Sequence, residues 1–251
     1  MRPIDIAALS LFVAFWLFYQ PLLSLLSKGR GGAINTDMTV IRVTWMRNMV
    51  ARENRFMDGQ LLGQALNSAS FFASSNLLLI AATAGALFGG ESTFRSVSAL
   101  EVIRTSSRFL FELQLSLVII ALARGLLDFI WSIRQMNYCI AAVGAVPDGL
   151  SEEERRSFGD AVGRMLNPAL SSFNAGVRGY YFALAAGAWV FGPWAFMGAT
   201  IGAVSILFWR QRGSRAAHAI GDLRRQIESR RAPPPSGAST SGGDPTGVSP
   251  G

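Results

Sequence analysis

Four long apolar runs, separated by polar or amphipathic connectors, organise the chain. The first spans Ile4 to Leu26. At about 1.5 Å per residue it can cross a hydrocarbon core of about 30 Å. Only Arg2 precedes it as a basic residue, and no small-x-small cleavage site follows closely, so it reads as a retained anchor helix rather than a signal peptide. Pro21 falls in its last turn, where neighbouring groups or water accommodate the missing donor. The second run, Ala65 to Phe88, carries no charge and is closed by Gly89-Gly90. The third, Phe109 to Val146, is 38 residues long and is interrupted by Glu112, Gln114, Arg124, Asp128, Arg134 and Gln135. That exceeds one perpendicular span, so part of it must tilt, break or extend into water. The fourth lies within Tyr180 to Trp209, with Tyr180, Tyr181 and Trp209 at aromatic-belt positions and a kink predicted at Gly192-Pro193.

The connectors have a pattern of their own. Met38 to Leu62 places apolar residues at near-helical spacing with Arg42, Arg47, Arg52, Glu53, Arg55 and Asp58 between them. This suits an interfacial helix or one leading straight into the second span; a soluble amphipathic helix docked on other loops is the alternative. Gly29-Arg30-Gly31-Gly32 predicts a turn, and Asn35-Thr36-Asp37 offers N-cap side chains. A short polar connector joins Gly90 to Arg108. Ser151-Glu152-Glu153-Glu154 matches a capping box and predicts a short extramembrane helix to about Leu166, with a bend at Pro168. Residues 216–232 read as a basic juxtamembrane segment and 233–251, rich in Pro, Ser and Gly, as a disordered tail. The predicted fold class is all-α: an integral membrane helical bundle of about four transmembrane helices plus amphipathic connecting helices, over residues 1–215.

Composition supports lipid as the solvent. Hydrophobic residues make up 50% of the chain and charged residues 16%, against roughly 25% charged in an average soluble domain. The formal charge of +7 lies mostly outside the apolar runs, where it sets topology or meets anionic headgroups, and no base-reading motif accompanies it. Nucleic acid is therefore not an expected partner. Cys139 and His218 are the only residues of their types, too few for a Cys/His zinc site, so no metal or cofactor is expected. No G-x-x-x-x-G-K-[ST], G-x-S-x-G or H-E-x-x-H motif occurs, which leaves an enzymatic role without support. With four spans, Lys and Arg divide eleven to eleven between the two sides, Arg124 standing apart. The positive-inside rule then returns a tie. Arg210, Arg212 and Arg215 directly abut a span, which leans toward both termini in the cytoplasm of a bacterial inner membrane.

Three ordered stretches carry a family resemblance. They are Arg47-Asn-Met-Val-Ala-Arg-Glu53 with Asp58-Gly-Gln-Leu-Leu and Phe71-Phe-Ala-Ser74; Trp131-Ser-Ile-Arg-Gln-Met-Asn-Tyr-Cys139 with Val143-Gly-Ala-Val-Pro147; and Phe173-Asn-Ala-Gly-Val-Arg-Gly-Tyr-Tyr-Phe-Ala-Leu-Ala185 with Trp189 and Pro193-Trp194. The chain resembles the bacterial and plant membrane-protein family catalogued as domain of unknown function 599, from the N-terminus to about Arg215. The resemblance implies a four-helix membrane protein and brings no activity with it.

Candidate chemistry concentrates on the third run. Arg124, Asp128, Trp131 and Gln135 fall within about 60° of one another on a helix and form one polar stripe. A charge at mid-membrane costs at least ~2.5 kcal/mol, so the stripe should face protein or water. It reads as a polar pathway or small-ligand pocket, or else as a self-neutralising Arg124–Asp128 pair that locks packing. Arg134, Asn137 and Arg178 are candidate headgroup or interface contacts. Gly85 with Gly89 and Gly198 with Gly202 have the spacing for close helix approach, within one subunit or in a homo-oligomer. The expected function is a non-enzymatic membrane scaffold or interaction protein, with the lipid bilayer as partner; the alternative is a small oligomeric channel or transporter along the third helix.

Overall fold

Three helices far longer than the rest set the frame. The computed structural model describes residues 2–27, 34–99, 107–212 and 214–231, and within them all regular structure is helical. The elements are α1 (Pro3–Ser27), α2 (Ile34–Val50), α3 (Phe56–Phe88), α4 (Gly90–Ser98), α5 (Arg108–Gly144), α6 (Glu152–Gly187), α7 (Pro193–Arg212) and α8 (Arg215–Arg231). A 3-10 turn over Ala188–Phe191 separates α6 from α7. At 1.5 Å per residue α3, α5 and α6 each run about 50 to 55 Å. Among the described residues, α3 and α5 are long and apolar enough to cross a membrane.

Side-chain pairs fix how the helices run. Gln114 of α5 bonds the Trp189 carbonyl beyond α6, and Ser132 of α5 bonds the Ala169 carbonyl within α6, so the two helices are antiparallel along most of their length. Asn76 of α3 meets the Leu122 carbonyl and Phe72 stacks on Phe129, which sets α3 antiparallel to α5. Arg47 pairs with Asp160 and Arg42 with Asn167, laying α2 antiparallel on the first half of α6. Phe12 of α1 touches both Phe182 of α6 and Phe196 of α7. Arg224 of α8 closes back on Asp37 of α2.

Several expectations need correction. The helix predicted to stop near Leu166 and bend at Pro168 instead continues unbroken to Gly187. Leu166 and Ala169, on either side of Pro168, are fully buried, and packing against α5 offsets the cost of the lost donor. The region 180–209, read as one kinked span, is two helices. Gly192 at φ 116 turns the chain, and Arg210 reaches the Tyr181 hydroxyl, so α7 folds back along α6. Met38 to Leu62 is also divided: α2 ends at Val50 and α3 begins at Phe56 and runs without interruption through the second apolar run. Asp37 lies in the first turn of α2, which begins at Ile34, rather than before it. The connector before Arg108 contains the short helix α4. The predicted turn at 29–32 and the tail at 233–251 lie outside the described residues.

The core is divided along the long axis. One cluster joins Phe12, Tyr19, Leu117, Phe182, Trp189, Phe196 and Leu207 from α1, α5, α6 and α7. A second joins Met46, Met49, Leu62, Met136, Cys139, Val162 and Leu166 from α2, α3, α5 and α6. Beside the first, α3 turns its apolar side chains outward: only 6% of its most apolar stretch is buried.

Candidate functional site

A close approach of α5 and α6 at Gly125 and Gly179 positions the polar groups of the third apolar run. A Cβ on Gly179 would lie 3.0 Å from the Gly125 Cα, and one on Gly176 would lie 2.7 Å from the Phe129 ring. With no side chains between them at this crossing, Arg124 and Asp128 of α5 come level with Arg178 of α6. All three line a cleft of about 500 Å³ whose third wall is α1, through Trp16, Leu17 and Tyr19. Ile120, Leu127 and Phe182 make much of the remaining surface apolar.

The charges in the cleft are not balanced. Arg124 and Asp128 approach at 3.5 Å, with the arginine side chain 64% exposed and the carboxylate 23%. Arg178 forms no ion pair or hydrogen bond among the described residues, although Tyr19 and Asp128 both lie within its electrostatic reach. Tyr19 is 4% exposed, and its buried hydroxyl has no hydrogen-bond partner among the described residues. One half-buried cation and one buried hydroxyl thus face the same space without partners.

The rest of the predicted stripe diverges from the cleft. Trp131 is exposed and lies beneath the Arg134 guanidinium, 5.9 Å from ring centroid to charge. Arg134 also donates to the Tyr138 hydroxyl at 3.3 Å, and Asn137 beside it is exposed. Gln135 donates to the Ser172 hydroxyl of α6 at 3.4 Å. The structure therefore brings together Arg124, Asp128 and Arg178, and separates them from Trp131, Arg134, Gln135 and Asn137.

The predicted packing glycines do not pack against another helix among the described residues. A Cβ on Gly85, Gly198 or Gly202 would meet nothing within 4 Å, and one on Gly89 would meet mainly Thr93 of the adjoining turn. The tight glycines lie elsewhere. A Cβ on Gly159 would stand 2.5 Å from the Arg47 Cα, and one on Gly163 would stand 2.9 Å from the Val43 Cα. This pair seats α2 directly on α6.

Around that contact lies a braced polar region. Asp58, fully buried, accepts from the Trp45 indole at 2.6 Å and from Arg52. Asp160 holds Arg47 by two hydrogen bonds, and the interaction raises the Arg47 pKa. Arg55 donates to the Val146 carbonyl at 2.7 Å, clamping the start of α3 to the end of α5. Cys139 is buried here, and burial pushes its thiol up to about 11. No three of His, Cys, Asp and Glu come together as a metal-binding group among the described residues.

A family model, described as protein of unknown function, DUF599, matches residues 7–216. The chain belongs to this family. The match takes in α1 from residue 7, all of α2 through α7 and the first two residues of α8, so the DUF599 region holds both the cleft and the braced end. No curated protein and no solved structure matches the chain. The DUF599 assignment brings no reaction or ligand with it, and the site has to be read from its own geometry.

Proposed function

We propose that this DUF599 protein is an integral membrane scaffold without enzymatic activity, in which α1, α3, α5, α6 and α7 cross the bilayer. In this reading the far ends of α3, α5 and α6, with α2 and α8, form a rigid extramembrane platform for partner proteins. The observation that carries it is the outward face of α3. Its most apolar stretch is 6% buried, and Phe71, Leu78 and Phe88 are 67%, 72% and 84% exposed. A helix in the core of a soluble protein would bury these side chains, whereas lipid accepts them. The opposite half of the same helices bears paired charges, as a surface in water requires. A channel along α5 has less support, because Ala121, Leu122 and Phe129 fill the interior and the Arg124–Asp128 pair opens sideways.

The reversal at Gly192 bears on orientation. Five crossings put the termini on opposite sides, unlike the arrangement expected from four. Leaving out the cleft arginines, 4 Lys and Arg residues then fall on the side of the N-terminus and α4, and 17 on the side of α2 and α8. The tie is gone, and the positive-inside rule supports the platform in the cytoplasm. Cysteine labelling tests this in a Cys139→Ser background. An impermeant maleimide should reach Ser96→Cys in intact cells, and Glu153→Cys only after lysis. Equal access from one side overturns the crossing pattern. Proteoliposome flux tests the scaffold reading: conductance indistinguishable from empty vesicles supports it, and a flux altered by Asp128→Asn overturns it.

A further inference from the structure

We propose that the cleft between α1, α5 and α6 is a binding site for the phosphodiester headgroup of an anionic phospholipid in the cytoplasmic leaflet. The inference rests on the bilayer placement above. Arg178 supplies a guanidinium whose planar donors match two phosphate oxygens, and it makes no hydrogen bond or ion pair among the described residues. The Tyr19 hydroxyl, buried on the facing helix and without a partner among the described residues, supplies a further donor. Burying a hydroxyl without a partner is unfavourable, and a bound oxygen at this position removes the penalty.

The charge balance selects the class of anion. Arg124, Arg178 and Asp128 give the cleft a net charge of +1, with Asp128 occupied by Arg124 at 3.5 Å. A phosphodiester carries one negative charge and neutralises the site. The dianion of inorganic phosphate would overcompensate it and meet the Asp128 carboxylate at close range. The apolar walls, including Leu17 and Leu127, give an acyl chain a surface that a free anion would not use. Depth agrees as well. Tyr181, less than one turn from Arg178, receives a hydrogen bond from Arg210 near the end of α7, where the chain leaves the apolar half. Arginines at this level meet headgroups in the leaflet on the platform side.

Lipid retention tests the site directly. The full chain is reconstituted in vesicles of equal parts phosphatidylglycerol and phosphatidylcholine, extracted in mild detergent, and its retained lipid counted by native mass spectrometry. The wild type should retain phosphatidylglycerol about tenfold over phosphatidylcholine. Arg178→Gln should abolish the preference, and Arg178→Lys should keep part of it because a point charge replaces the fork. Tyr19→Phe removes one oxygen without changing shape and should weaken the preference about threefold; it keeps the test decisive if Arg178→Gln does not fold. An unselective wild type overturns the proposal, as does wild-type preference in both Arg178→Gln and Tyr19→Phe. Displacement of phosphatidylglycerol by inorganic phosphate also overturns it, by assigning the cleft to a free anion. Retention is read in detergent, so labelling that reversed the bilayer orientation would leave the headgroup result standing and move it to the other leaflet.

Discussion

The two halves of α3, α5 and α6 are built from the same continuous helices and held together by different forces. In the charged half, polar groups are turned inward and paired: Asp58 with Trp45 and Arg52, Asp160 with Arg47, Arg55 with the Val146 carbonyl. In the apolar half the large side chains of α3 face outward, while α1, α5, α6 and α7 meet through small residues and buried rings, with Gly125 against Gly179 and Gly176 against Phe129. Few polar groups are buried there, and Asn76 and Gln114 spend their donors on backbone carbonyls of neighbouring segments. On the proposed bilayer placement, water drives the first arrangement, since burying apolar surface is favourable only where water is displaced. Around the apolar half lipid would remove that force and close packing would replace it. A helix of about 50 Å can pass through both regimes without a break because its own backbone bonds are satisfied in either.

The sharpest way to break this comparison is to place the same bulky residue on one glycine in each half. Gly159→Leu would drive a side chain into the backbone of α2 at Arg47, separating α2 from α6 and opening the methionine-rich core behind it. We expect a loss of about 3 kcal/mol, the upper range for overpacking, read as a lowered melting temperature in detergent. Gly198→Leu projects into open space and should stay within about 0.5 kcal/mol of the wild type. Comparable losses at both positions would mean that the apolar half is packed against something the single chain does not contain. Next in size is Asp58→Ala, which leaves the Trp45 indole donor and the Arg52 guanidinium without their shared acceptor. A loss of about 2 kcal/mol is expected, and Asp58→Asn should recover part of it because its amide oxygen can still accept from Trp45.

How far the fold is legible in the chain depends on whether one helix or several decide a feature. The apolar runs and the capping box at Ser151 are local patterns, and α3, α5 and the start of α6 lie where those patterns predict. Pro168 misleads because its local cost is outweighed by burial against α5, which no local pattern contains. Gly192-Pro193 is ambiguous in the same way: glycine permits φ 116, but only the contact between Tyr181 and Arg210 distinguishes a reversal from a kink. Periodicity on α5 places Arg124 beside Asp128, yet Arg178 and Tyr19 arrive from two other helices and lie outside any single helical wheel. The G-x-x-x-G spacing occurs at Gly59, Gly85, Gly159 and Gly198 alike, and only the Gly159–Gly163 pair has another helix's backbone against it. That spacing within the charged connector was the available signal for the weld between α2 and α6.

A smaller effect probes the apolar half from within. Asn76 is 1% exposed and donates to the Leu122 carbonyl at 3.0 Å, linking α3 to α5. Asn76→Ala should cost about 1 kcal/mol in detergent, the usual size of a polar link between helices in lipid. A loss as large as that of Asp58→Ala would show that polar bonds carry the apolar half too, and the contrast between the halves would weaken.

A last effect, of the same order as that of Asn76→Ala, tests whether the far end of the proposed platform is in water. The Ser151 hydroxyl accepts from the Glu154 backbone while Glu154 Oε2 accepts from the Ser151 backbone at 2.8 Å and from its hydroxyl at 2.7 Å. These bonds hold the Glu154 carboxyl below its usual value of 4.5, the side-chain hydrogen bond contributing most. A carboxyl whose pKa is depressed by folding stabilises the fold above its unfolded pKa and loses that contribution as pH falls through the folded value. Ser151→Ala removes the N-cap acceptor of α6 and should cost about 1 kcal/mol at neutral pH. Its melting curve should narrow toward that of the wild type in acid below the ordinary carboxylate range, leaving the part that comes from the hydroxyl accepting the Glu154 N–H. A difference between the two that persists unchanged into acid would separate the cap from the Glu154 charge, and would remove the reason to expect this helix start to respond to the solvent around it.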